Sequence, residues 1–311
     1  MDAETFFVDE VLNLEKGEGD YLYICVKKKN RNTLDVVNEL ARQAHIPKKS
    51  IGFAGIKDKH ATTTQHMSVY KASEHALKKV SIDQVEITVL GKGKEPVILG
   101  KLEGNKFRIK IDFQKIVNPG FMVNYFGPQR FSTSNAEIGR FFIKKEWEKA
   151  ISLMNNEKVN AYLAEHPTDR IGALRQLDQK VFSLYLHAFQ SYLWNQIACS
   201  YLKEQYRQYT EYKGLIFVRE KQEEIMIPLP AFDAVFQNKE VEHIALRYLQ
   251  MEGITVRDFI IRSFPDSLPV AHDRPLFVPI KGFAYEDGWL SFFLPAGSYA
   301  TVFLAQLESF L

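Results

Sequence analysis

The chain has 311 residues, enough for one large or two ordinary domains. Its residues are 46% hydrophobic and 25% charged, as is typical of a globular protein. The net charge of +2 does not by itself indicate a partner. Its two cysteines, Cys25 and Cys199, lack CxxC spacing, which argues against a zinc site or a disulfide framework and favours reduced structural thiols. The first residues lack the basic region of a signal peptide, and no apolar run is long enough to cross a bilayer, so we expect a soluble, cytoplasmic protein.

The first 112 residues have the pattern of strands around one helix. Asn32 or Thr33 is predicted to cap a helix that runs to about Ala44, and Pro47 prevents its continuation. The sequence KFRIKID alternates strictly between apolar and charged residues, as a half-buried strand does. Strands are predicted at residues 6–14, 20–28, 51–54, 65–71, 84–91 and 106–112.

After Gly120 the pattern becomes mainly helical. Helices are predicted over residues 133–155, 174–207 and 239–250, with a short β-rich part, GLIFVRE and EIMIPLP, before the last of them. From about residue 276 the strand pattern returns, and the chain ends in a turn that leads into a short helix. This order predicts an α+β fold in which a mainly helical insert interrupts a domain whose sheet the C-terminal strands complete.

Positive charge is concentrated in one part of the N-terminal region. Residues 26–60 contain nine Lys and Arg residues and three Asp and Glu residues, a net of +6, which leaves −4 for the rest of the chain. Such a concentration suits a phosphate-rich ligand, and a solvated lysine surface explains it equally well.

The stretch GFAGIKDKHATTTQ, residues 52–65, places Asp58 between Lys57 and Lys59. Nearby positive charge favours the ionised carboxylate, which makes Asp58 available as a nucleophile at neutral pH. The two preceding glycines allow a close approach of backbone or ligand. On this stretch alone, a turn aspartate in a salt-bridge cluster is the simpler interpretation.

Motifs for metal and nucleotide binding are absent from the sequence. Asp58, His60 and His66 are close along the chain, but no HExxH or EF-hand pattern occurs, so ordinary hydrogen-bonded histidines are favoured over a metal site. No GxxxxGK[ST], GxGxxG or GxSxG motif occurs either. We therefore expect neither a metal nor a cofactor.

Five stretches together resemble the TruD family of tRNA pseudouridine synthases. They are FAGIKDKHATT, EGNKF, NYFGPQRF, FQSYLWNQ and LPAGSYAT, and they occur in the family's order over nearly the whole chain. The resemblance implies a pseudouridine synthase catalytic domain with a mixed or antiparallel sheet, interrupted by a family-specific, mainly helical inserted domain. We assign residues 1–119 and 277–311 to the catalytic domain and residues 120–276 to the insert.

The resemblance also implies the site residues. Asp58 matches the catalytic aspartate. Four other matched positions are expected to bind the substrate, namely Phe6, Asn105, Phe107 and Tyr299. The family often has Phe at the position of Tyr299. Plain core packing explains the aromatic residues among them as well.

The basic residues of the site are less clearly assigned. The family usually has a lysine, implicated in the active site, before its first strand, and this sequence begins five residues before Phe6. Either the start lies further upstream or another residue takes that role, for which Lys57 and Lys59 are the candidates. Arg130, in NYFGPQRF, is expected to hold an RNA phosphate, with an ordinary ion pair as the alternative.

The implied reaction is the isomerisation of a uridine of tRNA, at position 13, to pseudouridine. The N1–C1′ bond breaks, the uracil turns, and C5 bonds to C1′, so nothing is oxidised, reduced or hydrolysed. Asp58 would attack C1′ or C6, and the sequence does not distinguish the two. We expect a monomer that binds tRNA.

Two other functions are compatible with parts of the sequence. A non-catalytic RNA-binding protein or tRNA folding chaperone would retain the fold without the chemistry, and carbodiimide mapping of pseudouridine would distinguish it. A metal-dependent nuclease would use Asp58, His60 and His66, and it would lose activity in EDTA.

Overall fold

The computed structural model describes residues 2–113, 116–221 and 224–311. Two compact units make up the chain, Met1–Gly120 with Pro279–Ser298, and Phe121–Val278 with Tyr299–Leu311. The predicted domain ranges also include residues 1, 114, 115, 222 and 223, which lie outside the described residues.

Regular structure accounts for most of both units. The strands, in chain order, are β1 Phe6–Val11, β2 Tyr21–Lys29, β3 Ile51–Phe53, β4 Thr62–Tyr70, β5 Val85–Gly93, β6 Gly104–Lys110, β7 Phe121–Val123, β8 Thr210–Tyr212, β9 Leu215–Phe217, β10 Met226–Pro228, β11 Asp273–Pro275, β12 Phe277–Pro279, β13 Lys281–Glu286 and β14 Trp289–Pro295. The α-helices are α1 Thr33–Gln43, α2 Glu74–Lys78, α3 Pro128–Phe131, α4 Asn135–Ile143, α5 Trp147–Met154, α6 Glu157–Glu165, α7 Arg170–Leu174, α8 Gln179–Gln205, α9 Lys239–Met251 and α10 Ala300–Glu308.

The first unit is built on a mixed sheet. In the described part of this unit, eight strands form one sheet in the order β13-β14-β6-β1-β4-β2-β5, with β3 also paired to β4. β1 and β4 are parallel, and the other pairs are antiparallel. The C-terminal strands β13 and β14 complete this sheet beside β6, as the sequence predicted, and the α+β fold class is confirmed.

Helix α1 packs on one face of this sheet. The side chain of Asn32 caps the helix by accepting a hydrogen bond from the backbone N–H of Leu34, as predicted. Val36 and Leu40 are fully buried on its inner face. They share one core with apolar residues of β2, namely Leu22, Ile24 and Val26.

The second unit is mainly helical, with α8 buried along much of its length. The prediction of a single helix over residues 133–155 was wrong, because α4 ends at Ile143 and α5 begins at Trp147. Between them Lys145 has a φ of 59°, a left-handed conformation that an α-helix cannot contain. The predicted helix 174–207 corresponds to α8, which is a few residues shorter at each end.

The last helix, α10, packs within the second unit. The Gln306 side chain accepts a hydrogen bond from the backbone N–H of Val123 at 2.8 Å and donates one to the carbonyl of Phe121 at 3.0 Å. Residues 299–311 therefore group with the second unit, whereas the sequence had placed them with the first. The assignment of a catalytic and an inserted domain stays a prediction.

Both cysteines are free thiols. Cys199 is buried, and its thiol lies 3.3 Å from the hydroxyl of Tyr125. No helix within the described ranges is both long and apolar enough to cross a membrane.

Candidate active site

One face of the sheet in the first unit carries a row of buried side chains that crosses five strands. Residues directly opposite each other on neighbouring strands project to the same face of a sheet. The register places the following residues opposite one another in this row, all of them buried: Phe292, Phe107, Val8, Thr63 and Lys28. The face is therefore aromatic at one end and carries a lysine at the other.

A charged and polar cluster lies beside this row. Glu10 on β1 is opposite Asn105 on β6, and the buried ammonium group of Lys57 reaches both. The Nζ atom of Lys57 lies 2.8 Å from Glu10 Oε2 and donates a hydrogen bond to Asn105 Oδ1 at 2.7 Å. Two of the predicted site residues, Lys57 and Asn105, are thus brought into direct contact.

Glu10 is ionised in this environment. Its side chain has no exposed surface, and such burial acts to raise the pKa of a carboxyl group. The adjacent His66 imidazole, the positive charge of Lys57 and the hydrogen bond from the His66 backbone N–H together outweigh burial, so the pKa of Glu10 lies below its ordinary value. Glu10 and Lys57 therefore form a buried ion pair.

The loop between β3 and β4 carries Asp58, and buried side chains hold its backbone. Thr33 Oγ1 accepts a hydrogen bond from the backbone N–H of Lys57 at 3.0 Å and donates one to Gln65 Oε1 at 3.0 Å. The amide of Gln65 in turn donates to the carbonyl of Gly55 at 3.4 Å. Because Thr33 and Gln65 are both fully buried, this path across the loop is anchored in the core of the unit.

Asp58 itself is exposed, while its backbone carbonyl accepts a hydrogen bond from a buried lysine. The Nζ atom of Lys28 donates a hydrogen bond to the carbonyl oxygen of Asp58 at 2.8 Å. Burial lowers the pKa of Lys28 to about 8, the nearby charge of Lys57 acts in the same direction, and the charge of Asp58 opposes them. The loop thus presents a carboxylate to solvent from a backbone fixed on both sides.

The predicted aromatic residues of the first unit lie in one stack. The rings of Phe6 and Phe107 are nearly parallel with centroids 6.3 Å apart, and Phe107 also stacks on Phe292 at 5.2 Å. Phe6 and Phe107 are 7% and 8% exposed. Core packing therefore accounts for both rings, and their expected contact with the substrate stays a prediction.

Tyr299 and Arg130 belong to the second unit, where both lie against Phe126. The ring centroids of Tyr299 and Phe126 are 6.2 Å apart, and a Cβ atom at Gly127 would come within 2.7 Å of the Tyr299 ring. The Arg130 guanidinium lies 5.8 Å from the Phe126 ring, and its Nε donates a hydrogen bond to Ser191 Oγ at 3.2 Å. The predicted roles of Tyr299 and Arg130 stay predictions.

Lys59 and His60 follow Asp58 on the loop and are exposed. His66 lies on β4, where its backbone N–H donates to Glu10 Oε1 at 2.9 Å and its Nδ1 is 3.6 Å from the same atom. In the parts of the chain that the structure describes, no three His, Cys, Asp or Glu side chains are grouped as metal ligands would be.

The three consecutive lysines of β2 do not form a single basic patch. Lys27 is exposed, Lys29 is paired with Glu4, and Lys28 is fully buried on the opposite side of the strand. The interpretation of the basic residues of segment 26–60 as a solvated or phosphate-binding surface is therefore wrong for Lys28.

Sequence reasoning did not identify Glu10 and Lys28 as members of the site. The signal was present in the strand alternation, since Glu10 continues the buried face of Phe6 and Val8. Lys28 likewise occupies the buried phase of β2, where it follows three apolar positions, Leu22, Ile24 and Val26. A charged residue in the buried phase of a strand predicts a paired or functional group.

Comparisons with known proteins agree over nearly the whole chain. The family model described as tRNA pseudouridine synthase D (TruD) matches residues 1–160, 152–224 and 208–307. A tRNA pseudouridine synthase D from Aquifex aeolicus is 28% identical, with 98% of this chain and 96% of the relative covered. A protein of Archaeoglobus fulgidus named "Probable tRNA pseudouridine synthase D" is 27% identical, with 98% and 93% covered.

A solved structure shows the same fold. The crystal structure of a Methanosarcina mazei protein named "Putative tRNA pseudouridine synthase D (TruD)" matches with a TM-score of 0.69, covering 97% of this chain and 91% of that chain. At 24% sequence identity, this likeness concerns the fold alone.

Proposed function

Because the chain belongs to the tRNA pseudouridine synthase D (TruD) family, we propose that it isomerises uridine 13 of tRNA to pseudouridine with Asp58 as the nucleophile. Family membership makes the chain a tRNA pseudouridine synthase, which is an isomerase. The uridine position and the nucleophile are the proposal. The observation that supports it best is the exposed carboxylate of Asp58 on a loop held by Thr33 and Lys28.

Asp58 suits nucleophilic attack because its carboxylate is exposed while its backbone is fixed. A nucleophile held in place loses little orientational freedom at the transition state, which lowers the barrier to reaction. Attack at C1′ or at C6 of the uridine is compatible with this arrangement.

The uracil must leave its stack before it reaches Asp58. Flipping a base costs a few kcal/mol, and stacking on an aromatic side chain returns about 1–3 kcal/mol per base. Phe6 and Phe107 are proposed to provide the apolar wall of the pocket, and Tyr299 is proposed to stack on the base. Asn105 is proposed to bind a base edge or a ribose hydroxyl through its amide N–H₂, since its Oδ1 already accepts from Lys57.

The tRNA backbone would be held by basic residues. Lys59 is exposed beside Asp58, and Arg130 has a guanidinium whose Nε is fixed by Ser191. Both are proposed to contact phosphates, which position an RNA without reading its sequence. Lys57, in contrast, is proposed to act through Asn105 and Glu10 rather than through a phosphate, because it is buried.

The test is carbodiimide mapping of a tRNA transcript after incubation with the protein. The proposal predicts one new adduct, at position 13, because carbodiimide forms a persistent adduct with pseudouridine. A transcript with cytidine at position 13 serves as the matched control and should gain none. Pseudouridine at another position in both transcripts would contradict the proposed site, and no pseudouridine in any tRNA would contradict the activity.

A further inference from the structure

Lys28 is a buried amine whose partner is the backbone of the proposed nucleophile. It has no exposed surface, it lies opposite Thr63 on the face of the sheet that carries Phe107, and its Nζ is 2.8 Å from the Asp58 carbonyl oxygen. Among the described residues it forms no ion pair within 4.0 Å, whereas Lys57 is paired with Glu10. A buried ammonium group is costly unless hydrogen bonds or an opposite charge compensate it.

Two features of the surroundings provide this compensation. The carbonyl of Asp58 accepts the hydrogen bond directly, and the carboxylate of the same residue contributes a favourable charge interaction. Both interactions come from Asp58. The buried charge of Lys28 is therefore stabilised only when the loop holds Asp58 within hydrogen-bond distance of the Lys28 ammonium group. The dependence is mutual, because the same hydrogen bond restrains the backbone of Asp58.

We propose that Lys28 is a positioning residue for the reaction: its ammonium group holds the Asp58 carbonyl and thereby fixes the loop that presents the carboxylate to the uridine. The proposal rests on the proposed function, in which Asp58 is the nucleophile. It assigns to Lys28 the basic role for which the sequence offered Lys57 and Lys59. Lys57 is occupied by Glu10 and Asn105, and Lys59 is exposed.

The proposal has a pH signature. Burial, with the charge of Lys57, lowers the pKa of Lys28 to about 8, against the opposing effect of Asp58. Above that pH the amine loses its proton, so its hydrogen bond to the carbonyl weakens and its positive charge beside Asp58 disappears. The charged groups that act on the Lys28 amine are Asp58 and Lys57 of the loop between β3 and β4. Lys27 and Lys29, its neighbours on β2, belong to the opposite face of the strand.

The experiment compares wild-type protein with Lys28→Met, which keeps the length of the side chain without its charge. Lys28→Gln, which keeps a neutral N–H donor, is the second variant in case Lys28→Met does not fold. Lys78→Met is the matched control, because Lys78 is an exposed lysine of the same unit that pairs with Glu74. For each protein the single-turnover rate is measured across pH 6–10 with saturating enzyme, together with the tRNA dissociation constant and the melting temperature.

We expect Lys28→Met to bind tRNA like the wild type and to react roughly ten- to hundredfold more slowly, as small misplacements of a reacting group do. The wild-type rate should fall as the pH rises through about 8, and this alkaline limb should be absent from both Lys28 variants. Lys78→Met should match the wild type in rate and in pH profile.

Three results would overturn the proposal. A folded Lys28→Met variant that reacts at the wild-type rate would show that Lys28 does not position Asp58, as would a Lys28→Gln variant that keeps both the wild-type rate and the alkaline limb. A rate loss that follows the unfolded fraction would reduce Lys28 to a structural residue. An alkaline limb shared by all the proteins would belong to another group, such as uracil N3. Asp58→Asn is assayed in parallel: if it stays active, the proposed nucleophile fails, whereas an inactive Asp58→Asn with an active Lys28→Met refutes only the positioning role.

Discussion

At the scale of single residues, the buried pair of Glu10 and Lys57 is the most consequential feature near Asp58. Lys57 immediately precedes Asp58, so its side-chain contacts affect the loop as well as the stability of the fold. Breaking one partner of a buried ion pair leaves an uncompensated charge, whereas replacing both partners removes the problem. The pair therefore offers a way to separate structural from catalytic effects.

We expect Lys57→Met to lower the free energy of unfolding by about 3–5 kcal/mol, because the carboxylate of Glu10 then lacks its counter-charge. The double variant Glu10→Gln/Lys57→Met should recover much of that loss, since no buried charge remains. Denaturant unfolding of the two single variants and the double variant gives the coupling energy.

The pH dependence provides a control for this pair. The pKa of Glu10 is lowered in the folded protein, so its ionised form contributes stability above the pKa of the unfolded chain, and the contribution is lost as the pH falls through the lower folded value. The advantage of the wild type over Glu10→Gln should shrink in that acidic range. Additive single-variant effects at neutral pH would contradict the ion pair.

A second residue-scale prediction concerns Tyr299. Tyr299→Phe should retain most of the activity, because the proposed stacking on the base needs the ring and not the hydroxyl. Tyr299→Ala should lose stacking worth about 1–3 kcal/mol, which corresponds to a roughly ten- to hundredfold slower single-turnover rate.

The melting temperature separates the two explanations of a defect at Tyr299. Its ring packs against Phe126 and Gly127, so a purely structural role would lower the melting temperature of Tyr299→Ala and reduce activity only with the folded fraction. An inactive but folded Tyr299→Phe would show that the hydroxyl takes part in the chemistry.

At the scale of elements, local sequence patterns predicted the strands of the first unit. They did not predict the break between α4 and α5 or the contacts between residues far apart in the sequence. The alternation of KFRIKID predicted β6, and the Asn32 cap predicted the start of α1, because each signal lies within a few residues. The break between α4 and α5 has no Pro or Gly to mark it, and a left-handed Lys145 produces it. The contacts of Lys57 and Lys28 also escaped prediction, since they join residues 48 and 30 positions apart.

The packing of α4 on α8 makes Gly139 a sensitive position. A Cβ atom there would lie 1.9 Å from the backbone carbonyl oxygen of Tyr185 and 3.0 Å from Phe189 Cβ. Ala is otherwise favoured over Gly in a helix by about 1 kcal/mol, so a loss of stability would show that close packing dominates. We expect Gly139→Ala to lower the free energy of unfolding by about 1–3 kcal/mol, as overpacking typically does.

The matched control for Gly139→Ala is Glu137→Ala on the exposed side of the same helix. This variant should change stability by less than about 0.5 kcal/mol, as surface substitutions usually do. Thermal unfolding of both variants decides the question, and a Gly139→Ala protein more stable than the wild type would contradict the close approach of α4 to α8.

At the scale of the whole molecule, a net charge of only +2 must coexist with binding to a polyanion. Local concentration of basic residues resolves this, because phosphate contacts depend on nearby charges and are screened beyond about 10 Å at ordinary salt. The exposed Lys27 and Lys59 lie within the basic segment of residues 26–60. The buried Lys28 and Lys57 in the same segment are not available to a phosphate.

tRNA binding should therefore weaken steeply with salt, with a slope of about −0.7 to −0.9 in log–log form for each phosphate contact. Reversing the charge at Lys27 or at Lys59 should remove about one phosphate contact, which reduces the magnitude of the slope by about 0.7–0.9. Lys78→Glu, also exposed, is the control and should leave the slope unchanged. Filter binding over a range of salt concentrations measures it, and equal slopes for all variants would place the RNA path elsewhere.

The Asp58→Asn variant tests directly whether the protein isomerises uridine 13 with Asp58 as the nucleophile. The substitution removes the nucleophilic charge with almost no change in shape, so the variant should fold and bind tRNA like the wild type. The measurement is the single-turnover rate of pseudouridine formation at position 13 with saturating enzyme. Carbodiimide mapping detects the product. We expect Asp58→Asn to form no product above the uncatalysed background, and product at a rate near that of the wild type would contradict Asp58 as the nucleophile.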